Sequence, residues 1–364
     1  MSGRQTEMLV VGGLVLGTIL LGYIQLGAKA PDAAANDAVG RGNLVEAAEL
    51  GRECASADGG VLELNDRLIC IAHLADNESS IGRNEDARSR LDLAFAEADR
   101  EGLAVTAEAR AALFLSSSFV ARDVDPQRSI KDARVGLSLA ATPSQRAIAN
   151  ARLGAALEGP EALQLLRTAR AQFIEIEGAH GMNVALTEIS LGGELISTDP
   201  REAIAVLEAA SESYGMAGDG GHPFQGIALG ALSRARYSEH DLEGAEADLR
   251  KSIPIIRAGL GPKSPFLHSH LCDLGELLLE TDRDTEALPL LEEGVRLATI
   301  VNDESMRCRN DYGAVLFRVG KKTESHEVLV TLLKEAKALP ASELAIEDIS
   351  RTLAWVESDG TAQH

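Results

Sequence analysis

Residues 220–298 read GGHPFQGIALGALSRARYSEHDLEGAEADLRKSIPIIRAGLGPKSPFLHSHLCDLGELLLETDRDTEALPLLEEGVRLA, and this stretch contains one pattern twice. An offset of 42 residues aligns the two copies without a gap, so that Ala245 and Ala287 share a column. Twelve residues before each alanine lies a small residue, Ser233 or Gly275. Small residues at both points predict two antiparallel helices that cross at close range, because bulk at either point would hold them apart.

The pattern extends in both directions along the chain. The same offset carries it back to Ala203, although Leu191 then occupies the place of the small residue. Weaker copies put a small residue in the alanine column at five more places: Ala47, Ala87, Ser129, Ala162 and Ser325. Repeats of 33 to 42 residues with variable loops are typical of stacked helix pairs.

A single helix pair is too small to bury its apolar face, whereas stacked pairs share one continuous core. In such an array the first helix of each pair lines a concave groove and the second faces outward. The segment 341–358 is helical in pattern and has no successor, which predicts a capping helix with Trp355 packed beneath it. We found no convincing run of alternating, β-branched strand sequence.

The segment 220–298 resembles tetratricopeptide repeats, and most closely the 42-residue type found in kinesin light chains. Its opening Gly-x-x-His/Ser-Pro and its second-helix Ala-x-x-x-Leu carry the resemblance. The resemblance implies an all-α, right-handed α-solenoid that binds a protein or peptide partner in its groove. The carboxylate clamp known from chaperone-binding members is in doubt, because acids stand at most of the corresponding first-helix positions.

The amino terminus contains an uncharged run of 21 residues, Met8–Ala28. At 1.5 Å per residue this helix would cross about 30 Å of hydrocarbon, which predicts a single-pass anchor. A cleaved signal peptide is the alternative, since Ala28-Lys29-Ala30 resembles a cleavage site, but Pro31 disfavours cleavage there. Gly13 and Gly17 form a GxxxG spacing that predicts helix packing within the membrane and a homodimer as one further partner.

The predicted organisation has five parts: 1–29 tail and transmembrane helix, 30–40 short linker or first partial repeat, 41–340 repeats, 341–358 capping helix and 359–364 flexible tail. Because a short tail carrying Arg4 usually stays cytoplasmic, we expect the repeats to be extracytoplasmic, and periplasmic in a bacterium. The net charge of −21 excludes nucleic acid bound through its phosphates.

Four cysteines without a CxxC pair form neither a disulfide framework nor a zinc ribbon. Cys54 and Cys70 either meet between neighbouring helices or are small buried residues. His268 and Cys272 share a helical face, but a metal would need a ligand from another repeat, so we predict no metal and no cofactor. Motifs such as HExxH, GxSxG and Walker A are absent, and we predict no enzyme.

We expect a membrane-anchored scaffold that binds a protein or peptide and belongs to a larger complex. A membrane-tethered assembly factor or chaperone-like protein is the alternative. The predominance of acids in the predicted groove favours a mixed or basic ligand. The first-helix positions predict eight groove residues: Glu188, Arg234, Tyr237, Glu276, Glu280, Asn310, Phe317 and Arg318.

Overall fold

The computed structural model describes residues 41–55, 63–122, 124–216, 221–298, 303–338 and 342–360, together with Ala35 and Ala38. Within these residues it contains sixteen long α-helices, one 3-10 turn at Gly102–Ala104 and no strand. The helices are α1 (Leu44–Ala55), α2 (Leu64–Ser80), α3 (Asn84–Glu101), α4 (Ala107–Ala121), α5 (Pro126–Leu139), α6 (Pro143–Ala156), α7 (Pro160–Glu177), α8 (Met182–Leu195), α9 (Pro200–Met216), α10 (Pro223–Ser238), α11 (Leu242–Leu260), α12 (Pro265–Glu280), α13 (Asp284–Leu297), α14 (Asp303–Arg318), α15 (Lys322–Ala338) and α16 (Glu343–Glu357).

The described chain divides into two compact units, a division that the periodicity did not predict. Unit 1 contains the described residues up to Asp241 together with Ala258–Leu260. Unit 2 contains Leu242–Arg257 and the described residues from Gly261 onward. The predicted repeat region 41–340 therefore spans both units.

Each unit is built from antiparallel helix pairs, whose first member we call the A helix and whose second we call the B helix. In unit 1 the A helices α2, α4, α6 and α8 pack against the B helices α3, α5, α7 and α9. The A helices also pack on one another in chain order, from α2 through to α10. In unit 2 the A helices α12 and α14 pack together, and each packs on its own B helix, α13 or α15.

Several helices begin at a residue whose side chain caps them. Thr106 and Thr142 accept hydrogen bonds from backbone amides three residues later, which satisfies a first-turn donor. His222 and Ser264 accept hydrogen bonds from the amides two residues later, at the starts of α10 and α12, and a proline follows each of them. The recurring His/Ser-Pro pair therefore marks helix starts, as the alignment predicted. His180 lies one residue before Gly181, the N-cap of α8.

Glycine allows the A and B helices to approach closely. A Cβ built on Gly275 would lie 2.5 Å from Cγ of Leu291, so the glycine of α12 packs under a leucine of α13. Its nearest neighbours thus belong to Leu291 and not to Ala287, the predicted partner. In α8 the corresponding glycine is Gly192, which packs under Leu207, and the gapless alignment had placed Leu191 there.

The capping helix α16 covers the end of unit 2. It begins after Ser342, whose side chain accepts a hydrogen bond from Ala345 N, and it falls within the predicted segment 341–358. The indole of Trp355 packs edge-on against Phe317, with ring centroids 4.5 Å apart. Leu329 and Leu353 complete this small core.

No helix in the described part of the chain is both long enough and apolar enough to cross a bilayer. The predicted span Met8–Ala28, with Gly13 and Gly17, lies outside the described residues. The segment 1–29 and residues 361–364 of the predicted tail lie outside them as well.

Candidate functional site

The A helices of unit 1 carry a column of equivalent positions, which we call the A column. Each position comes directly after a small residue of the A helix. That small residue lies eleven or twelve residues before the alanine-column residue of the following B helix. The small residues pack inward: Ser118 Oγ lies 3.3 Å from Ser129 Oγ, and Gly192 packs under Leu207. The A column of unit 1 therefore consists of Asp76, Phe119, Arg152, Gly193 and Arg234.

Two members of the A column form a buried ion pair between α2 and α6. Nη2 of Arg152 lies 2.7 Å from Oδ2 of Asp76, and Nη1 lies 3.4 Å from Oδ1. Asp76 is 1% exposed and Arg152 is 4% exposed. The two residues are 76 positions apart, and α4 packs against both of their helices. The pair therefore joins two repeats that are not neighbours along the chain.

Another member of the A column, Phe119 of α4, has two guanidinium groups near its ring. Cζ of Arg152 is 5.4 Å from the centre of the phenyl ring, and Cζ of Arg122 is 5.7 Å from it. Both distances allow a cation–π interaction. Phe119 and Arg122 are buried as well, so both cations stand in a medium that screens charge weakly.

Asp76 is held by several groups besides Arg152. Burial raises the pKa of its carboxyl above the ordinary value, while Arg152, His73 and a hydrogen bond with Ser116 act in the opposite direction. A raised pKa means that removal from water outweighs these attractions, which is common for buried ion pairs. The A column therefore holds a carboxylate on a guanidinium in the buried contact between α2 and α6.

The three predicted groove residues of unit 1 are all buried. Oε1 of Glu188 accepts a hydrogen bond from Nε of Arg170 at 2.8 Å, so this acid is paired with a B-helix arginine. Burial raises the pKa of Glu188, and Arg170 lowers it. Arg234, in the A column, and Tyr237 both lie on α10.

Two of the predicted groove residues of unit 2 differ in setting from the rest. Asn310 of α14 is buried, and its Oδ1 accepts no hydrogen bond from the described residues. Glu280, at the end of α12, is exposed. Their role as groove residues stays a prediction.

The other three predicted residues of unit 2 make contacts that hold repeats together. Arg307 of α14 bonds both Glu276 at 2.5 Å and Asp273 at 3.1 Å, which ties α14 to α12. Phe317 packs against Trp355 of the capping helix. Arg318 pairs with Asp284 at 2.9 Å and donates to the carbonyl of Leu279 at 3.0 Å; Asp282 is a further partner.

The structure contains two disulfides. Cys54–Cys70 joins α1 to α2, and Cys272–Cys308 joins α12 to α14. His268 Nδ1 lies 2.9 Å from the carbonyl oxygen of Gly294 and 3.5 Å from Cys272 Sγ. His268, Cys272 and Cys308 bring three potential ligand atoms within 4.8 Å of one another. While the disulfide is intact, neither sulfur is a thiolate that could bind a metal.

Sequence analysis did not identify Asp76, Phe119, Arg122 and Arg152 as site residues. A usable signal was present, because three of them directly follow the small residue of a first helix and the fourth, Arg122, lies four residues after one. The gapless offset of 42 obscured this signal, because it assumes one fixed spacing. The small residues of α4, α6 and α8 lie eleven residues, not twelve, before the alanine-column residues of α5, α7 and α9.

Comparisons with solved structures show the fold. A Rap protein complexed with Competence and Sporulation Factor aligns with 90% of this chain and 97% of its own, at a TM-score of 0.60 and 10% identity. NprR in complex with its cognate peptide NprX aligns with 92% of this chain and 98% of its own, at a TM-score of 0.55 and 12% identity. The anaphase-promoting complex hetero-tetramer Cut9–Hcn1 aligns with 88% of this chain and 54% of its own, at a TM-score of 0.57 and 15% identity.

These similar structures are tetratricopeptide-like helical-repeat proteins, and this chain shares their fold. No family model matches the sequence. No curated protein sequence matches it either.

Proposed function

We propose that this chain is a membrane-anchored scaffold that binds a peptide, or an extended segment of a protein, along the A helices of unit 1. One observation carries the proposal: the A column holds a buried ion pair and a cation-flanked aromatic ring. Arginine and aromatic side chains contribute most of the binding energy at protein interfaces. The Rap and NprR structures, similar in fold, are complexes with Competence and Sporulation Factor and with the cognate peptide NprX.

The proposal includes binding without catalysis. Three buried acids of the A helices, Asp76, Glu188 and Glu276, are each paired with an arginine, which suits recognition better than proton transfer. Membership of a larger complex and transient client binding are the two forms such a scaffold could take. A partner recovered at fixed stoichiometry would favour the complex, and a substoichiometric, exchangeable one would favour the assembly factor.

The anchor is proposed from the uncharged sequence Met8–Ala28. In its favour, both pairs of cysteines in the described chain form disulfides, and disulfides persist mainly outside the cytoplasm. We therefore propose that the repeats are extracytoplasmic, and periplasmic in a bacterium. Gly13 and Gly17 are proposed to pack two spans into a homodimer.

Three measurements test this function. The full chain should stay with membranes through carbonate extraction, and a chain that starts at Ala33 should be released. Cysteines of the protein in intact cells should resist a maleimide until a reductant is added. Affinity purification from detergent-solubilised membranes should recover a partner. Release of the full chain by carbonate, or four cysteines that react without reduction, would contradict the anchor and the location respectively.

A further inference from the structure

The contact between α12 and α14 in unit 2 can support a second chemistry besides its disulfide. We propose that Cys272, Cys308 and His268 bind one zinc ion when the bond between the two cysteines is reduced. Zinc then joins the same two A helices that the disulfide joins in the oxidised chain. The site lies in unit 2 and does not depend on the peptide-binding surface proposed for unit 1.

The three ligand groups are already close together. One ring nitrogen of His268 and both sulfur atoms lie within 4.8 Å of one another. The imidazole lies beside Cys272, with Nδ1 3.5 Å from Sγ. Zinc bonds of about 2.1 Å to nitrogen and 2.3 Å to sulfur place tetrahedral ligand atoms roughly 3.5 to 3.8 Å apart. Once the bond between the sulfurs is broken, small rotations of the three side chains lead to that arrangement.

His268 is oriented as a metal ligand. Nδ1 lies 2.9 Å from the carbonyl oxygen of Gly294, and a carbonyl only accepts, so Nδ1 carries the proton. Metal-binding histidines are typically held in this way by a backbone carbonyl on one ring nitrogen. Nε2 is left with the lone pair, and it is buried with no hydrogen-bond partner among the described residues. A buried nitrogen without a partner is unusual, and a metal ion would supply one.

The sulfurs lie against the backbone of α13 at Gly294. A Cβ built on this glycine would be 2.7 Å from Sγ of Cys272 and 3.3 Å from Sγ of Cys308. No side chain at this position therefore separates the sulfurs from the carbonyl that orients His268. An ion held directly by its ligand atoms needs no larger cavity, and structural zinc sites are closed. The burial of both cysteines suits such an ion.

Electrons and charges balance in the reduced site. A dithiol gives two electrons and two protons to the sulfurs of Cys272 and Cys308 and becomes a disulfide itself. Zinc binding then releases both thiol protons to solvent, because the thiolate is the ligand. Two thiolates and a neutral imidazole cancel the two positive charges of the ion, which keeps the buried site free of net charge. Sulfur and imidazole are also the ligands that suit zinc.

Cys308 is the ligand that sequence analysis lacked. His268 and Cys272 share a face of α12, and a metal needed a further ligand from another repeat. The helix α14 supplies it, 36 positions after Cys272. The charged neighbours Asp273 and Arg307 are paired with each other at 3.1 Å, so this pair adds no net charge beside the ligands. Three protein ligands leave the fourth position of zinc to water.

The test uses the full chain in detergent, a phosphine as reductant and zinc alone as the probe. The phosphine takes up oxygen from water and, unlike a dithiol, brings no thiols that compete for zinc. Elemental analysis after gel filtration measures the bound metal. We expect about one equivalent in the reduced chain and less than about 0.1 equivalent in the oxidised chain, which has no thiolate to offer.

Matched variants locate the ion. The phosphine also reduces the other disulfide, so Cys54→Ser/Cys70→Ser serves as the control and should retain zinc, whereas Cys272→Ser/Cys308→Ser should lose it.

His268→Gln should weaken zinc binding by about a hundredfold, since even residues that only support a ligand contribute about 10- to 100-fold. His270→Gln should bind as the wild type does, because this buried histidine of the same helix lies 3.0 Å from Ser252 Oγ instead. Competition with a chromophoric chelator gives the affinities.

Circular dichroism shows whether each reduced protein is folded. Zinc bound equally well by Cys272→Ser/Cys308→Ser, or with wild-type affinity by His268→Gln, would overturn the site. A reduced, folded wild type that binds no zinc would do the same. If reduction lowers the helical signal, zinc added with the phosphine should restore it, and failure to restore it would also overturn the site. The proposed scaffold would still stand or fall on the membrane purification.

Discussion

The A helices of the two units carry the same repeat but are tied together by different chemistry. In unit 1 the tie between α2 and α6 is the ion pair Asp76–Arg152. In unit 2 the tie between α12 and α14 is the disulfide Cys272–Cys308, reinforced by Arg307. A ligand can replace an ion pair, but it does not replace a disulfide without redox chemistry. Unit 1 therefore joins these A helices by a contact that can open and re-form, and unit 2 joins them by a covalent bond.

The largest expected effect comes from removing one partner of the ion pair and leaving the other in place. Arg152→Met should lower the free energy of unfolding by about 3 to 5 kcal/mol, because it leaves Asp76 buried without its partner. The double variant Asp76→Asn/Arg152→Met should recover most of that loss. Urea denaturation followed by circular dichroism measures both. Arg167→Met, which removes an exposed pair with Glu202, is the control and should cost about 0 to 1 kcal/mol.

Loss of the disulfide in unit 2 should lower the free energy of unfolding somewhat less than loss of Arg152 does. We expect Cys272→Ser/Cys308→Ser to lower stability by about 2 to 4 kcal/mol, since the disulfide restricts the unfolded chain. Amide exchange should rise in α12 to α14, whereas α2 to α6 should keep their protection. Equal loss of protection in α2 to α6 would contradict the separate roles of the two ties.

The close crossing inside unit 2 gives a third, intermediate effect. Gly275→Ala should cost about 1 to 3 kcal/mol, because the added Cβ would lie 2.5 Å from Leu291 Cγ. Glu292→Ala, on the exposed face of α13, should change stability by about 0.5 kcal/mol or less. A thermal melt of each variant is sufficient. A silent Gly275→Ala would show that the helices can separate at this point without loss.

The smallest expected effect is a pH dependence on α8 of unit 1, where a B-helix arginine holds the acid. Burial raises the pKa of Glu188 above 4.5, so the folded chain binds this proton more tightly than the unfolded chain does. Its contribution to stability is complete below pH 4.5 and declines as pH rises through the folded-state pKa. The stability of the wild type relative to Glu188→Gln should fall over that interval. A difference that grows with pH would mean that Arg170 dominates instead.

Sequence periodicity predicted the helix pairs because each pair is a local feature, specified by apolar spacing, prolines and small residues. The pattern misplaced the small residue of α8 by one position, because the gapless offset ignored a one-residue difference between the repeats. Asp76 and Arg152 could not be paired from sequence, since their contact skips a repeat and depends on how successive helices stack. Cys272 and Cys308 occupy different repeat positions, so no shared column predicted their bond.

The predicted groove illustrates the same limit. The alignment places Arg234 and Glu276 in the A column, one residue after Ser233 and Gly275. Position alone does not show whether a side chain is already used by the fold. The structure pairs Glu276 with Arg307, and it packs Phe317 under the capping helix. Such contacts come from neighbouring repeats, where the sequence does not repeat.

The central claim is that the A helices of unit 1 bind the partner, and partner recovery from membranes tests it most directly. Three versions of the full chain should be purified in parallel from detergent-solubilised membranes: the wild type, Asp76→Asn/Arg152→Met and Arg167→Met. The double variant leaves neither charge buried alone, and a thermal melt confirms that it is folded. We predict that it loses the partner, whereas Arg167→Met, changed on a B helix, retains it. A folded double variant that recovers the partner at the wild-type ratio would contradict the claim.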